Sequence, residues 1–454
     1  MKPDWEGPLG EAYARAMSYL KDLPVRRVGP RDTASDLRAK LGGKLPEGPS
    51  DARQVISSLA DNVEDGLLPS GSGRFFGFVF GGATPAALAA DWLATAWDQN
   101  AGLYAASPAA AVVEEITAEW LVELFGLPRQ TSVGFVTGAQ MANFTGLAAA
   151  RHAVLAKAGW DVEADGLIGA PPIQVLVGAE RHDTVDRALR FLGLGTRCIV
   201  PIAVDGQGRM RPDALARELG GGPTIICAQA GNVNTGAIDP LDEICELKQD
   251  AWVHVDGAFG LWSAVSTPMR GLEKADSWAT DAHKWLNVPY DSGLVLCAHP
   301  EAHRAAMSVR ASYLIHDDEQ RDALDYNPEF SRRARGFAVY AAIRALGRQG
   351  IAELVERSNA MAQRFADQLA PYVLNEVNLN QVLVRFGNDD ELTRRVVKAV
   401  QQEGTAWMSG TTWQGRAAMR ISVSNWTTSE ADVDRSVEAV LRCVEIEQAR
   451  STQG

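Results

Sequence analysis

The sequence predicts an α/β protein: a mostly parallel sheet covered on both faces by helices, preceded by a helical arm and followed by a small α+β unit. Two patterns carry that prediction. From about residue 75, short and nearly continuous apolar runs alternate with amphipathic segments, as buried parallel strands and their crossover helices do. From about residue 346 the rhythm changes to strand, helix, two strands and a final helix. The predicted division is therefore residues 1–70, 71–345 and 346–454.

In chain order, the first 70 residues show an amphipathic helical pattern over 12–20, a Pro/Gly/charged stretch, and a second helical piece over 55–68. They hold too little apolar surface for a core of their own, which predicts an arm packed on something else, a second subunit. Next, "VGFVTG" leads into "AQMANFTGLAAARHAVLA", "IQVLVGA" into "HDTVDRALRFLG", "CIVPIAV" into "RPDALARELGGG" and "TIICAQAG" into "PLDEICELKQD". "WVHVDGAFG" and "SGLVLCA" follow as two further strands. The last unit runs through "QVLVRF", "DDELTRRVVKAVQQEG", "TAWMSGTTW" and "AAMRISV" to the helix "TSEADVDRSVEAVLRCVEIEQ".

With 46% hydrophobic and 22% charged residues in 454 positions, the chain has an ordinary globular composition and can bury one large core plus a smaller one. A net charge of -13 argues against a general nucleic-acid binder, which needs a basic face. Cys198, Cys227, Cys245, Cys297 and Cys443 form no CxxC pair and no metal-ligand spacing, so reduced structural thiols and no metal are expected. The N-terminal residues include early acidic groups and no apolar h-region, and no apolar stretch approaches the roughly 20 residues of a membrane span. A cytoplasmic protein without membrane contact is the expectation.

Ligands of parallel sheets bind at the carboxyl ends of the strands, and five segments there carry chemistry. "TGAQMAN" (137–143) ends a strand in a small-residue turn that opens a helix; such a turn binds a phosphate through backbone N–H groups and the helix dipole, or simply connects the two elements. His182 in "VGAERHDTV" is either a helix-start residue or a flat ring that stacks on a planar cofactor. Asn232 and Asn234 in "AQAGNVNTGAIDP" are polar contacts or members of a Gly/Asn turn. Asp256 ends the apolar strand in "WVHVDGAFG", so its carboxylate needs a partner, in a turn cap or in a site. Lys284 lies beside His283 in "TDAHKWLNV", between apolar runs where lysine is seldom found.

The five combine. A buried lysine is readily deprotonated, and its amine condenses with an aldehyde. A buried carboxylate one strand earlier keeps a pyridine nitrogen protonated, which makes the ring an electron sink. Together with a phosphate turn and a flat histidine, the ordered set meets the needs of one molecule, pyridoxal 5′-phosphate.

On these residues the sequence resembles the fold-type I pyridoxal-phosphate enzymes, and within them the group II amino-acid decarboxylases, the family of aromatic-amino-acid and glutamate decarboxylases. The resemblance runs from about residue 70 to 430 and rests on "FFGFVFGG", "YAASPAA" followed by Glu114 and Glu115, "TGAQMAN", His182, "HVDGA", "AHKWL" and "SRRARGF". It implies a mostly parallel seven-stranded sheet. It further implies that Lys284 carries the internal aldimine, that Asp256 pairs with the pyridinium, and that His182 and the methyl of Ala258 cover the two ring faces. Thr137, Gly138, Ala139, Gln140 and His283 would lie at the phosphate, Asn232 near the ring substituents, and Ser331 at the phosphate of the neighbouring subunit of a homodimer.

The implied reaction is decarboxylation of an L-amino acid to its amine and CO2. The proton donor would come from "ASYLIHDDEQRDALDYNPEFSRR", as Tyr326 or Tyr313. That segment is shorter than in the better known animal enzymes and lacks a Tyr-Arg-His-Trp sequence, so an aldehyde formed with oxygen stays open as a product. A carbon–carbon lyase and a non-catalytic protein of the same fold are the other readings. Phe78 and Phe80 would wall the substrate pocket, with Asn100 and Tyr104 reaching it across the dimer. Arg420 is either an anchor for the substrate carboxylate or a salt-bridged arginine of the small domain.

Overall fold

The computed structural model describes residues 4–309 and 320–452. Its eleven strands are β1 (Phe75–Phe76), β2 (Ser132–Val136), β3 (Gln174–Gly178), β4 (Ile199–Ile202), β5 (Thr224–Gln229), β6 (Trp252–Asp256), β7 (Ser277–Asp281), β8 (Gly293–Cys297), β9 (Gln381–Val384), β10 (Trp407–Trp413) and β11 (Arg416–Ser422). Seven of them form the large sheet in the order β2-β8-β7-β6-β5-β3-β4. Only β8 is reversed, antiparallel to both β2 and β7. The other strands of this sheet therefore present their carboxyl ends at one edge. The mostly parallel seven-stranded sheet and the smaller mixed sheet are as the sequence predicts.

Six of the seven strands are the apolar runs of the sequence. The seventh, β7, reads "SWATD", and three polar residues in five hide it from a hydrophobicity pattern. All five are nonetheless buried. The sheet tolerates this because the polar side chains find partners: Ser277 receives the indole N–H of Trp252, and Asp281 receives the backbone N–H of Ala139.

The arm has three helices, Glu6–Asp22, Ala34–Leu41 and Ala52–Val63. The middle one falls in the stretch taken as Pro/Gly/charged connection. A reciprocal capping box explains it, with Thr33 accepting from the Asp36 backbone and Asp36 accepting from the Thr33 backbone. None of the three buries a residue completely, and Trp5, Leu9, Tyr13, Val55 and Leu59 stay exposed.

The small sheet has the order β1-β10-β11-β9. β1 joins it in parallel with β10, which ties the segment entering the large sheet to the C-terminal unit. The long helix Gly336–Gln368 connects the two halves and breaks at Gly347, whose φ of 63° favours glycine. Two of the motifs behind the family resemblance meet beneath it. Arg332 and Glu114, both buried, pair at 2.7 Å, and Arg332 also donates to the carbonyls of Ala101 and Phe135. Among the described residues no helix is long and apolar enough to cross a membrane.

Candidate active site

The carboxyl ends of β2, β3, β5, β6 and β7 open on one cavity of about 370 Å³. Gly138, Ala139 and Gln140 line it after β2, His182 and Thr184 after β3, Gln229 at the end of β5, Asp256 and Ala258 at β6, and Asp281, His283 and Lys284 at β7. Phe78, Val79, Phe80, Tyr290 and Arg420 close the remaining walls.

Lys284 sits 2.8 Å from the carboxylate of Asp281, three residues earlier. The other oxygen of Asp281 accepts the N–H of Ala139 at 2.6 Å and lies 3.3 Å from Nε2 of His283. One buried carboxylate thus faces both the Lys284 amine and the first N–H of the helix Ala139–Lys157. His283 accepts the N–H of Ser292 at Nδ1, so its proton resides on Nε2 toward Asp281. Burial holds the His283 imidazolium below its usual range, partly offset by Asp281. Gly138 is held close here: a Cβ on it would meet the His283 ring at 3.2 Å.

Asp256 is buried, with one oxygen accepting the N–H of Ala258 and the other the amide of Asn143, both at 3.2 Å. His182 caps the helix Asp183–Phe191, accepting the N–H of Thr184 at Nδ1, and it also lines the cavity. The helix-start role is thus observed, in a residue whose ring also faces the cavity. Phe78 and Val79 have φ of 55° and 61°, a left-handed conformation that is rare for a β-branched residue and marks strain at the wall of the cavity.

Arg420, on β11, is 9% exposed, and its Nε has no hydrogen-bond partner. Burial alone pushes its guanidinium down to about 10. No ion pair involves it among the described residues, so a salt-bridged arginine is not what this position holds. A cation left in that state stands ready for an anion in the cavity.

Other expected site residues lie elsewhere in the chain. Asn232 spends its amide on Glu180 and Gln229 and its oxygen on the N–H groups of Asn234 and Thr235, which makes it the organiser of the turn. Gln229 instead faces the cavity. Thr137 is half-buried behind it. Asn100 accepts from the Arg332 backbone, the Tyr104 N–H donates to Asp322, and Ser331 is exposed; none of the three lines the cavity of this chain. Tyr326 borders a separate hollow with Glu115 and Arg321, its ring under the Arg321 guanidinium. Tyr313 lies outside the described residues. Missed by sequence reasoning were Asn143, Thr184, Gln229, Asp281 and Tyr290. Of these, only Asp281 had a local signal, its position three residues before Lys284.

The donor set suits pyridoxal 5′-phosphate: an amine for the aldehyde, a buried carboxylate for the ring nitrogen, and a helix N-terminus for the phosphate. The comparisons agree. The model of the pyridoxal-dependent decarboxylase conserved domain matches residues 35–385. The aromatic-L-amino-acid decarboxylase of Bacillus atrophaeus is 28% identical over 91% of this chain and 89% of its own. The 4-hydroxyphenylacetaldehyde synthase of Rhodiola rosea is 25% identical over 92% and 90%. The crystal structure of Oryza sativa TDC with PLP and tryptamine superposes with a TM-score of 0.90 at 23% identity, covering 98% of this chain and 99% of that one. Matched over most of its length and carrying a fitting site, the chain belongs to the pyridoxal-dependent decarboxylase family and is a pyridoxal 5′-phosphate-dependent lyase.

Proposed function

We propose that this enzyme releases CO2 from an L-amino acid and yields the amine, using Lys284 as the residue that binds the cofactor covalently. The observation that carries the reading is the convergence of Lys284 and Asp256, from the ends of two paired strands, on one cavity. When bound, the cofactor supplies an electron sink for the bond to CO2. Asp256 would accept a hydrogen bond from the ring nitrogen. His182 and Ala258 would cover the ring, and the Gly138–Ala139 turn with His283 would hold the phosphate. Lys284 would hold the cofactor, and the Asp281 carboxylate, 2.8 Å from its amine, would keep that amine oriented at the cavity.

Arg420 anchors the substrate carboxylate in this proposal, because it is a buried cation lacking an anion beside Phe78 and Phe80. Charge-assisted hydrogen bonds contribute about 1.5–3 kcal/mol. Arg420→Met is therefore expected to raise KM about 10- to 100-fold while leaving the visible absorption of the bound cofactor unchanged. Steady-state kinetics across a panel of L-amino acids, with CO2 and product identified, tests both points. A wild-type enzyme that releases no CO2 from any of them sinks the reading.

The exposed apolar arm and the exposed Trp92, Leu93 and Trp97 support a homodimer in which Ser331, Asn100 and Tyr104 complete the site of the neighbouring subunit. Sedimentation of the full chain should give twice the mass of one chain, and an active monomer would refute this. One observation favours a second product. Tyr326 borders a different hollow in this chain, and if no group delivers a proton, oxygen and water would convert the amino acid to aldehyde, CO2, ammonia and hydrogen peroxide. Peroxide formed in step with CO2 distinguishes that outcome.

A further inference from the structure

We propose that Asn143 is a positioning residue that sets Asp256 and His182 toward the cofactor together, through one hydrogen-bond chain that starts at Trp252 and passes through Ser277 and His254. This rests on the cofactor roles given above to Asp256 and His182. The strand geometry places the parts. His254 and Asp256 are two residues apart on β6 and share a face, and His254 is in register with Ser277 on β7. The helix Ala139–Lys157 covers that face, and Asn143 and Gly146, three apart, lie on its inner side. Gly146 makes room: a Cβ there would meet the His254 ring at 2.7 Å. Glycine inside a helix costs about 1 kcal/mol relative to alanine, so the ring's place is specifically provided for.

The direction of each bond follows from donor chemistry. Trp252 Nε1 is a donor only, and it lies 2.8 Å from Ser277 Oγ. At the other end the Asp256 carboxylate is an acceptor only, so the Nδ2 of Asn143 must face it, at 3.2 Å. The Oδ1 of Asn143 is then turned to His254 Nε2, 2.9 Å away, which must donate. His254 is fully buried and burial pushes it down to about 3, so its ring is neutral, with Nδ1 accepting from the Ser277 hydroxyl at 2.8 Å. The second hydrogen of Asn143 Nδ2 goes to Thr184 Oγ1 at 3.3 Å. Thr184 Oγ1 lies 3.0 Å from His182 Nδ1, to which it donates. No buried side-chain polar atom of this hydrogen-bond network is without a partner.

The consequence is specific. Asn143 uses both amide hydrogens, one for the carboxylate that meets the ring nitrogen and one, through Thr184, for the imidazole that meets the ring face. Fixing the His254 tautomer keeps the Asn143 amide from flipping, because a flip would turn its oxygen on the Asp256 carboxylate. The Ser277 hydroxyl is therefore felt in the cavity although it touches nothing there.

The test uses the full-length holoenzyme and three variants. Ser277→Ala removes one oxygen, His254→Leu removes both ring nitrogens at similar bulk, and His254→Gln restores a donor and an acceptor. Loss of one orienting hydrogen bond should lower kcat about ten-fold with KM within two-fold, and should weaken the visible circular dichroism of the bound cofactor. His254→Gln should recover at least half of the lost signal and rate. Melting temperature and far-UV circular dichroism report folding, and if His254→Leu does not fold, Ser277→Ala decides alone. Wild-type kcat and dichroism in Ser277→Ala, or equal losses in His254→Gln and His254→Leu, overturn the proposal. A wild type that fails to bind the cofactor overturns the assigned roles of Asp256 and His182 as well.

Discussion

Lys284→Ala is expected to abolish turnover, with kcat lower by about four orders of magnitude or more, the scale of losing a group that acts covalently. The expectation comes from placement. Lys284 is the lysine lining the cavity of the strand ends, and its amine is held 2.8 Å from Asp281, which also accepts the Ala139 N–H. Asp281 retains the Ala139 N–H in the variant, so the fold and the turn should persist. Lys284→Arg separates charge from chemistry: it can still pair with Asp281, but a guanidinium is not deprotonated in proteins and cannot condense with an aldehyde. Both variants should lose the absorption band at about 420 nm that a lysine–cofactor imine produces. A Lys284→Ala enzyme that keeps the band and turns over substrate would remove this residue from the mechanism.

Asp256→Asn is expected to lower kcat about 10²- to 10³-fold, comparable with removing one preorganised electrostatic contact in a closed site. Asparagine keeps the shape but has a single acceptor oxygen, so it removes the negative charge together with one of the two hydrogen bonds received from Asn143 and Ala258. In the role proposed for Asp256, loss of that charge would remove the partner that keeps the ring nitrogen protonated and would weaken the electron sink. The signature is a fall in kcat with near-normal KM and retained cofactor. Asp256→Glu returns the charge but lengthens the side chain within a buried site, and should recover little. If Asp256→Asn stays within about three-fold of wild type, the carboxylate has no electronic role.

These two residues were legible in the sequence for a simple reason. Asp256 ends β6 and Lys284 follows β7 by three residues, and strand ends in a parallel sheet converge whatever the details of packing. The same rule found the "TGAQMAN" turn, His182 and His283. It misplaced Asn232, because a side chain just past a strand can turn inward to its own loop as easily as toward the cavity, and here four hydrogen bonds hold it in the loop. It passed over Gln229, one residue inside the strand end.

What the sequence determined by itself was the alternation of apolar runs and amphipathic helices, and with it the sheet, the edge that carries the site, and the presence of Lys284 and Asp256 at that edge. Hydrophobic patterning decides those matters locally, over five to ten residues at a time. The tertiary structure alone decided that Asp281 serves both the Lys284 amine and the first N–H of the helix Ala139–Lys157. It also decided that Asn143 meets Asp256 and His254 across separations of 113 and 111 residues. Such contacts depend on which strands are neighbours, on their register, and on a glycine that lets a helix approach a ring. The polar strand β7 shows the link between the two levels: its serine and aspartate hide it from a hydrophobic pattern, and the same two side chains join the helix to the site.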